Sequence, residues 1–321
     1  MSSKGRAAIL VCGLLTALAA VGEDWPRKPV RVVVANSAGS LSDVMARLVF
    51  ARLSESLGQQ FFIDNRPGAG GSIGAELVAK SPPDGYTLLM ASDGMLTVNP
   101  FIYSKLGYDP LRDFAPVSLV TKLTQALYVN SGLGAKTLDD FVRIARANPG
   151  KLTYSSGGNG HATHLAMELF LWKANLQLVH VPYKGTAPAL QAAATGEVAA
   201  IVMSTSLANP FVASGKLIAL GTMGASSPNV LPGVPSLSSV FPESEALSWQ
   251  AVVAPASTPP QIVETLRGAI AKALASPDLR ERLKDGGTDP TPSSPQELEQ
   301  LVRADFERNR ELVKRMNLKV D

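Results

Sequence analysis

Residues 152–203 decide the fold, and they read LTYSSGGNGHATHLAMELFLWKANLQLVHVPYKGTAPALQAAATGEVAAIVM. Three short runs in this stretch are rich in apolar and β-branched residues, and two segments of helical length separate them. This spacing predicts strands at 152–154, 178–181 and 198–203, with helices at 162–173 and 188–194. Strands that alternate with helices form βαβ units, so we predict a largely parallel sheet covered by helices on both faces.

The same alternation occurs on the amino-terminal side of this stretch. The pattern predicts strands at 30–34, 61–63 and 86–90, and helices at 44–57, 73–79 and 138–147. A chain of 321 residues can build two such units. We therefore predict an α/β protein of two domains, each a mostly parallel sheet flanked by helices. Domain 1 comprises 23–124 plus 252–321, and domain 2 comprises 125–251.

The carboxyl-terminal part of the chain is expected to be helical. Thr258 followed by Pro-Pro-Gln has the pattern of a capping box, and so does Ser294 followed by Pro-Gln-Glu. Ser276 followed by proline begins a third helix between them. Helices that follow a βα chain usually pack on an existing sheet, so we expect this segment to return to the first domain.

The first 22 residues have the pattern of a secretory signal peptide. Lys4 and Arg6 precede an apolar stretch at 7–20, and small residues near its end place cleavage between Ala19 and Glu23. A membrane anchor is the alternative, but the stretch is short for a hydrocarbon core of about 30 Å. We therefore expect an exported protein located in the periplasm.

Composition excludes several classes of site. The only cysteine, Cys12, lies within the predicted signal peptide, which leaves the rest of the sequence without disulfides, thiolate metal sites or a cysteine nucleophile. The formal net charge is +3, and the charges are scattered along the sequence. Because no basic stripe is present, we expect no nucleic-acid partner.

Few residues carry an enzyme signature. His161 and His164 share a predicted helix face with Glu168, but their spacing differs from the i, i+4 histidine pair of zinc proteases. The sequence Gly158-Asn159-Gly160 lacks the third glycine of a dinucleotide loop, and neither a nucleophile elbow nor a P-loop occurs. We expect no metal, no cofactor and no catalysis. An exported hydrolase or metal enzyme that uses His161 and His164 is the alternative.

Three loops rich in glycine and serine each lead from a predicted strand into a predicted helix. We call them the first loop (36–43), the second loop (67–72) and the third loop (155–161). The first turn of a helix has unpaired N–H groups and a partial positive charge, and small residues let an anion approach them. Ordinary turns also use glycine, and the second loop, which begins with Pro67, fits that interpretation better. The first and third loops, from different domains, together indicate one anion site.

The predicted ligand-binding residues lie in these two loops and at the ends of neighbouring strands. In the first loop they are Asn36, Ser37, Ala38, Gly39, Ser40, Ser42 and Asp43. In the third loop and the helix after it they are Ser156, Gly157, Gly158, Asn159, Gly160, His161 and His164. The other strand ends contribute Ser92, Asp93, Tyr183, Met203 and Ser204.

Short motifs occur in order along almost the whole chain after residue 22. They include Asn65-Arg-Pro-Gly-Ala-Gly-Gly71, Pro83-Asp-Gly-Tyr-Thr-Leu88, Asn148-Pro-Gly-Lys-Leu152 and Val179-His-Val-Pro-Tyr-Lys-Gly185. Together they resemble the Bug family, the substrate-binding components of tripartite tricarboxylate transporters. The resemblance implies a periplasmic binding protein of the Venus-flytrap, type II-like architecture, with a small carboxylate held by backbone amides and waters of the first and third loops.

The same resemblance implies delivery of the ligand to inner-membrane transporter subunits, without a catalytic residue. An orphan binder that feeds a sensor is a variant of this function. We expect the protein to be a monomer.

Two departures from the family pattern concern the ligand. Many members have a Pro-Gly-Gly element where this chain has Ala38-Gly39-Ser40, so Ser40 is expected either to cap the next helix or to face the ligand. Many members also have an acidic residue at the position of Met203. Burial of an ammonium group without a carboxylate is costly, so we predict a carboxylate ligand that has no ammonium group. Asp93 is the alternative acidic partner.

Overall fold

The structure, a computed structural model, describes residues 25–224, 231–246, 248–285 and 288–319. The predicted signal peptide lies outside the described residues. The described chain forms two sheets with helices on both faces of each, which confirms the predicted fold class. Within the same residues, no helix combines the length and the apolar character needed to cross a lipid bilayer.

The strands are numbered in chain order. They are β1 (Val30–Val34), β2 (Phe61–Asn65), β3 (Thr87–Ser92), β4 (Phe114–Leu123), β5 (Gln125–Asn130), β6 (Thr153–Ser156), β7 (Val179–Pro182), β8 (Ala200–Ser204), β9 (Leu217–Thr222), β10 (Ser248–Pro255) and β11 (Thr288–Pro290).

The helices are numbered in the same way. They are α1 (Leu41–Leu57), α2 (Ser72–Ala79), α3 (Asp93–Thr97), α4 (Asn99–Ile102), α5 (Leu138–Ala147), α6 (Ala162–Ala174), α7 (Thr186–Thr195), α8 (Thr205–Ala213), α9 (Pro260–Ala275), α10 (Pro277–Asp285) and α11 (Pro295–Met316). Short 3₁₀ turns lie at Ala69–Gly71, Ser131–Leu133 and Leu237–Ser239.

The two sheets share one strand order. The first sheet has the order β11-β4-β10-β3-β1-β2, and the second has the order β7-β6-β8-β5-β9. In each sheet, one antiparallel strand (β10 or β5) lies between the third and fourth strands of a parallel set. Among the described strands, four of six in the first sheet and four of five in the second run in the same direction. The prediction of mostly parallel sheets is therefore correct.

The register shows how the two sheets face each other. Strand β4 ends at Leu123 and β5 begins at Gln125, so only Thr124 separates the two sheets. Leu123 pairs with Ser248 beside the carboxyl end of β3, and Gln125 pairs with Ser204 at the carboxyl end of β8. The carboxyl edges of both parallel sets therefore meet at this crossing. Loops that follow β1 and β6 must border the cleft between them.

The chain returns from the second sheet to the first between Thr222 and Ser248. Strand β10 pairs along its whole length with β4, so the expected boundary at residue 252 falls inside a strand of the first sheet. Helices α9, α10 and α11 then pack against that sheet, as predicted.

Each sheet has a separate apolar core on each face. The first sheet packs against α1, α9 and α10 on one face and against α2 and α11 on the other. The second sheet packs against α5 and α6 on one face and against α7 and α8 on the other. A fifth cluster joins the domains, because Leu165 and Leu169 of α6 contact Ile102 of α4 and Leu312 of α11.

One predicted helix cap is wrong and another is confirmed. The hydroxyl of Thr258 donates to the Pro255 carbonyl at 2.7 Å, and Pro259 occupies the cap position of α9 without a side-chain bond. At α11, Ser294 and Glu297 form a reciprocal capping box. The difference arises because Pro260 has no N–H group and Thr258 lies one residue before the cap.

Candidate functional site

The first loop is built around the buried carboxylate of Asp43. Its oxygens accept hydrogen bonds from the Gly39 amide at 2.8 Å and from the Asn65 side chain at 3.0 Å, and they pair with Arg47 at 2.9 Å. Burial opposes ionisation of this carboxyl, but the bonds from Arg47, Gly39 and Asn65 outweigh it and lower the pKa of Asp43. Asp43 therefore fixes the shape of the loop, and the structure does not place it as a contact for a ligand.

Two serines of the first loop also have structural partners. Ser40 caps α1, because its hydroxyl oxygen accepts from the Asp43 amide at 3.3 Å. Ser42 is buried and donates to the side-chain oxygen of Gln250 on β10 at 3.0 Å. Of the two roles predicted for Ser40, the structure therefore shows the cap. The Ser42 hydroxyl is therefore engaged by β10 in this conformation.

The remaining part of the first loop is open. Ser37, Ala38 and Gly39 are exposed, and Gly39 has φ +80° with nothing within 4 Å of the position of a Cβ atom. The side-chain oxygen of Asn36 is buried and has no hydrogen-bond partner within the described residues. The amides of Leu41 and Ser42 belong to the first turn of α1, where no intrahelical acceptor exists. This loop therefore offers N–H groups to the cleft.

Three amides of the third loop have side-chain acceptors within the same segment of the chain. Gly157 donates to the Thr163 hydroxyl at 3.0 Å, Gly158 to the Ser156 hydroxyl at 3.1 Å, and Gly160 to Nδ1 of His164 at 3.1 Å. His161 caps α6, with Nδ1 accepting from the Thr163 amide at 3.2 Å. These three amides are therefore not free in this conformation. Their present acceptors are neutral side chains.

The backbone of the third loop requires its glycines and reaches the first domain. Gly158 has φ +126°, and a Cβ atom there would lie 3.3 Å from the Tyr183 carbonyl oxygen. Gly160 has φ +72°, and a Cβ atom there would lie 3.4 Å from Leu318 and 3.6 Å from Ile102. Since Ile102 and Leu318 belong to the first domain's side of the molecule, the third loop lies at the domain interface. Asn159 between these glycines is exposed.

Two of the three histidines, His164 and His180, stack on each other and on Tyr154. The rings of His164 and His180 lie 3.8 Å apart at 10°, and His180 also stacks on Tyr154 at 4.9 Å. Burial, with smaller effects from His180 and His161, lowers the pKa of His164 to about 3. Burial also lowers the pKa values of His161 and His180. At neutral pH these rings act as hydrogen-bonding groups without charge.

This arrangement gives little support to metal or hydrolytic chemistry. Among the described residues, no group of three or more histidine, cysteine, aspartate and glutamate side chains could hold a metal ion. Ser156 Oγ lies 2.7 Å from Nε2 of His180, which resembles half of a catalytic triad. Ser156 is completely buried, however, and its hydroxyl also bonds the Gly158 backbone. A substrate could not reach this oxygen in this conformation.

Met203 does not face the cleft. It is 1% exposed and packs with Tyr128 and Ala189 in the core of the second domain. The prediction failed because alternate strand residues point to opposite faces, and Met203 shares the core-facing side with Ile201. Ser204 follows it as the half-buried cap residue of α8. The strand end reaches the cleft, but the side chain of Met203 does not.

Tyr183 and Ser92 lie at strand ends, as predicted, with different surroundings. The Tyr183 hydroxyl donates to Glu197 at 2.6 Å, and this bond raises the pKa of Tyr183 to about 12. Its amide donates to the Ser156 carbonyl, which ties it to the third loop. Ser92 is half-buried and caps α3 without a side-chain bond.

Asp93 lies in a small cavity between the domains. Its oxygens accept from the Ser248 hydroxyl at 3.3 Å, and burial raises its pKa to about 7. The cavity has a volume of about 30 Å³, and its polar lining is formed by Asp93, Gln125, Ser248, Asp305, Arg308 and Asn309. That volume holds only one or two waters, so Asp93 does not offer a site for a ligand ammonium group in this conformation.

Four exposed apolar side chains were missed by the sequence analysis. Leu41 and Val44 of α1, Ile73 of α2 and Leu207 of α8 are 38–53% exposed. All four lie in the first turn of helices that follow parallel strands, where polar capping residues are common. An apolar residue in a first turn, where a polar residue is common, was therefore the signal in the sequence. We call these four residues the apolar rim.

Comparison with known proteins agrees with this geometry. A sequence model described as the tripartite tricarboxylate transporter family receptor matches residues 45–318. The chain belongs to this family. A protein encoded in the tcbD-tcbE intergenic region of Pseudomonas sp. strain P51 is 38% identical over 291 residues, covering 90% of this chain and 86% of that protein. Protein BugT of Bordetella pertussis is 32% identical over 307 residues, covering 94% of each.

Two similar solved structures have the same fold. R. palustris Rpa4515 with adipate has a TM-score of 0.76 and 34% identity, and covers 92% of this receptor and 100% of its own chain. MatC (Rpa3494) from Rhodopseudomonas palustris with bound malate has a TM-score of 0.72 and 31% identity, with coverage of 90% and 100%. The resemblance to the Bug family and the two-domain periplasmic binding protein fold are therefore confirmed.

Proposed function

We propose that this receptor captures a small carboxylate in the periplasm, between the first and third loops, and delivers it to the membrane subunits of a tripartite tricarboxylate-type transporter. One observation carries the proposal: the single-residue crossing at Thr124 turns the carboxyl edges of both sheets toward the same cleft. The relatives that hold adipate and malate support the ligand class. The proposal involves no catalytic step.

Backbone amides can supply the binding energy without a free cation. Arg47 is paired with Asp43, and Arg31 and Arg66 share Asp64, so each of these arginines already has a carboxylate partner. A charge-assisted hydrogen bond contributes about 1.5–3 kcal/mol, whereas association costs roughly 4–15 kcal/mol. Five or six such bonds, with buried ligand surface, reach the −8 kcal/mol or so of micromolar affinity.

A carboxylate competes well for the amides of the third loop. The present acceptors, Ser156, Thr163 and His164, are neutral, and a carboxylate oxygen accepts a stronger hydrogen bond from the same N–H groups. The displaced side chains can turn toward each other or toward water. Because the first loop supplies further amides from the other domain, closure of the two domains completes the site.

The test combines ligand identification with calorimetry. Mass spectrometry of protein purified without denaturation should find a retained small carboxylic acid. Gly158→Val should then weaken binding of that acid at least tenfold, since valine resists φ +126° and lies close to the Tyr183 carbonyl. Gly150→Val is the matched control, because Gly150 also has positive φ but lies before β6, at the edge away from the cleft. Equal losses in both variants, or no binding of any carboxylate by the parent protein, would overturn the proposal.

A further inference from the structure

The apolar rim is unusual because its side chains lie in the first turns of helices, where polar residues are common. Leu41, Val44, Ile73 and Leu207 are four of the seven large apolar side chains that are exposed in the described residues. They come from both domains, and each lies in the first turn of a helix that starts at the carboxyl edge of its sheet. Side chains of a helix lean toward its amino terminus, so all four lean toward the cleft. Exposed apolar side chains grouped at one cleft mark a binding surface.

The first-domain members of the rim lie against the first and second loops. Leu41 is the first residue of α1, directly after the Ser40 cap. Ile73 is the second residue of α2, and its Cδ1 atom lies 2.6 Å from the position that a Cβ atom of Gly68 would occupy. The absence of a side chain at Gly68 therefore leaves room for Ile73 to lie over the second loop. The second loop, interpreted from sequence as structural, supports an apolar wall of the cleft.

The second-domain member lies beside the third loop. Leu207 is in the first turn of α8, which begins where β8 ends, and β8 is the neighbour of β6. The third loop begins at the end of β6, so Leu207 and the third loop occupy adjacent positions along the same edge. Tyr183, whose hydroxyl is held by Glu197, follows β7 on the other side. The cleft thus has amide donors with apolar side chains next to them.

From this arrangement we infer that the receptor selects carboxylates whose body is a hydrocarbon, and that Leu41, Ile73 and Leu207 discriminate against hydroxylated ligands. The inference rests on the proposed function and adds the substrate class. A hydroxyl group buried against the rim would lose its bonds to water without gaining a partner. A methylene group in the same place gains free energy by leaving water.

Calorimetry with a matched ligand pair tests this inference. Adipate and galactarate have the same length and the same two carboxylates, but galactarate carries a hydroxyl on each of its four inner carbons. We expect adipate to bind at least tenfold more tightly. In the series butanoate, hexanoate and octanoate, affinity should rise about fourfold per methylene until the rim is covered.

Two variants test whether a rim residue acts through its position at the cleft or only because it is apolar and exposed. Leu207→Ser should reduce the preference for adipate about tenfold and flatten the alkanoate series. Val179→Ser is the control, since Val179 is 46% exposed, close to the 49% of Leu207, but begins β7 at the opposite edge of the sheet. Unchanged melting temperatures will show that both variants fold.

The outcomes distinguish this inference from the proposed function. If carboxylates bind but galactarate equals or exceeds adipate, or if Leu207→Ser and Val179→Ser behave alike, the inference is wrong and the proposed function stands. If no carboxylate binds the parent protein, the proposed function fails first. A preference for adipate that Leu207→Ser abolishes and Val179→Ser retains supports the inference.

Discussion

The partly buried carboxylate of Asp93 contributes to the pH dependence of this receptor's stability. Its pKa rises from 3.8 to about 7, chiefly through burial, with a further contribution from the nearby Asp305 and opposing contributions from Gly94, Ser248 and Arg308. Between these pH values the folded state retains a proton that the unfolded state has lost. The contribution of Asp93 to the free energy of unfolding therefore falls as pH rises from about 4 to about 7, and becomes constant above that range. The lowered pKa of His164 acts in the opposite direction, because below the usual histidine pKa the unfolded state binds a proton that the folded state does not. The effect of Asp93 is therefore measured as the difference between the parent protein and a variant.

Replacement of Asp93 by asparagine should remove this dependence. A shift of about 3 pKa units corresponds to about 4 kcal/mol at 1.36 kcal/mol per unit, which is the upper limit for the effect. Asparagine resembles the protonated acid, so Asp93→Asn should be more stable than the parent protein by about 2–4 kcal/mol at pH 8 and nearly equal to it at pH 4. Asp305, whose pKa burial also raises, stays in the variant and leaves a smaller dependence of the same sign.

Urea denaturation at pH 4, 6 and 8 measures the effect, with Trp249 as a reporter because its indole N–H donates to Asp305 at 2.8 Å. Asp139→Asn is the control, since Asp139 is exposed in the first turn of α5. A stability difference between Asp93→Asn and the parent protein that does not grow between pH 4 and pH 8 would refute the reasoning. So would an Asp93→Asn variant that is no more stable than the parent at pH 8.

Three further predictions concern the ligand, the histidines and export. Succinate should bind more tightly than aspartate, and glutarate more tightly than glutamate, because Asp93 lies in a cavity of only about 30 Å³ and Asp43 is paired with Arg47. Calorimetry that gives the opposite order would restore Asp93 as a ligand partner. His164→Ala should weaken carboxylate binding much less than Gly158→Val does. It should also leave the metal content of the purified protein unchanged, and a loss of bound metal would contradict this prediction. Mass spectrometry of periplasmic protein should find a mature amino terminus between Ala20 and Glu23, whereas an uncleaved, membrane-retained chain would exclude the predicted signal peptide.

The βαβ units were predictable because strands and helices differ in the period of their apolar residues, and turn residues separate one element from the next. Helix α5 has the predicted bounds, and β1 does as well. Strands β4 and β5 were missed because the chain passes from one sheet to the other through Thr124 alone. No glycine or proline marks a turn there, and Pro116 lies within β4. The sequence around such a crossing therefore gives no local indication that the chain passes from one domain to the other.

The candidate site was predictable in its location but less so in its hydrogen bonds. The spacing of Ser40 and Asp43 indicated the cap of α1, and the structure has it. The sequence could not show that Thr163 and His164 accept from the amides of the third loop, because those bonds depend on side-chain rotamers after folding. The burial of Met203 could have been predicted from the two-residue period of β8, because this period places Met203 on the same face as Ile201.

The central claim is that one carboxylate is held by loops from both domains. Amide hydrogen exchange with and without the acid that co-purifies with the protein tests it most directly, using peptides that cover 36–43 and 155–163. The account predicts that both peptides gain protection together, at the same ligand concentration, while peptides from the opposite edges of the sheets do not change. Protection of only one of the two loops, or protection confined to another surface, would contradict it.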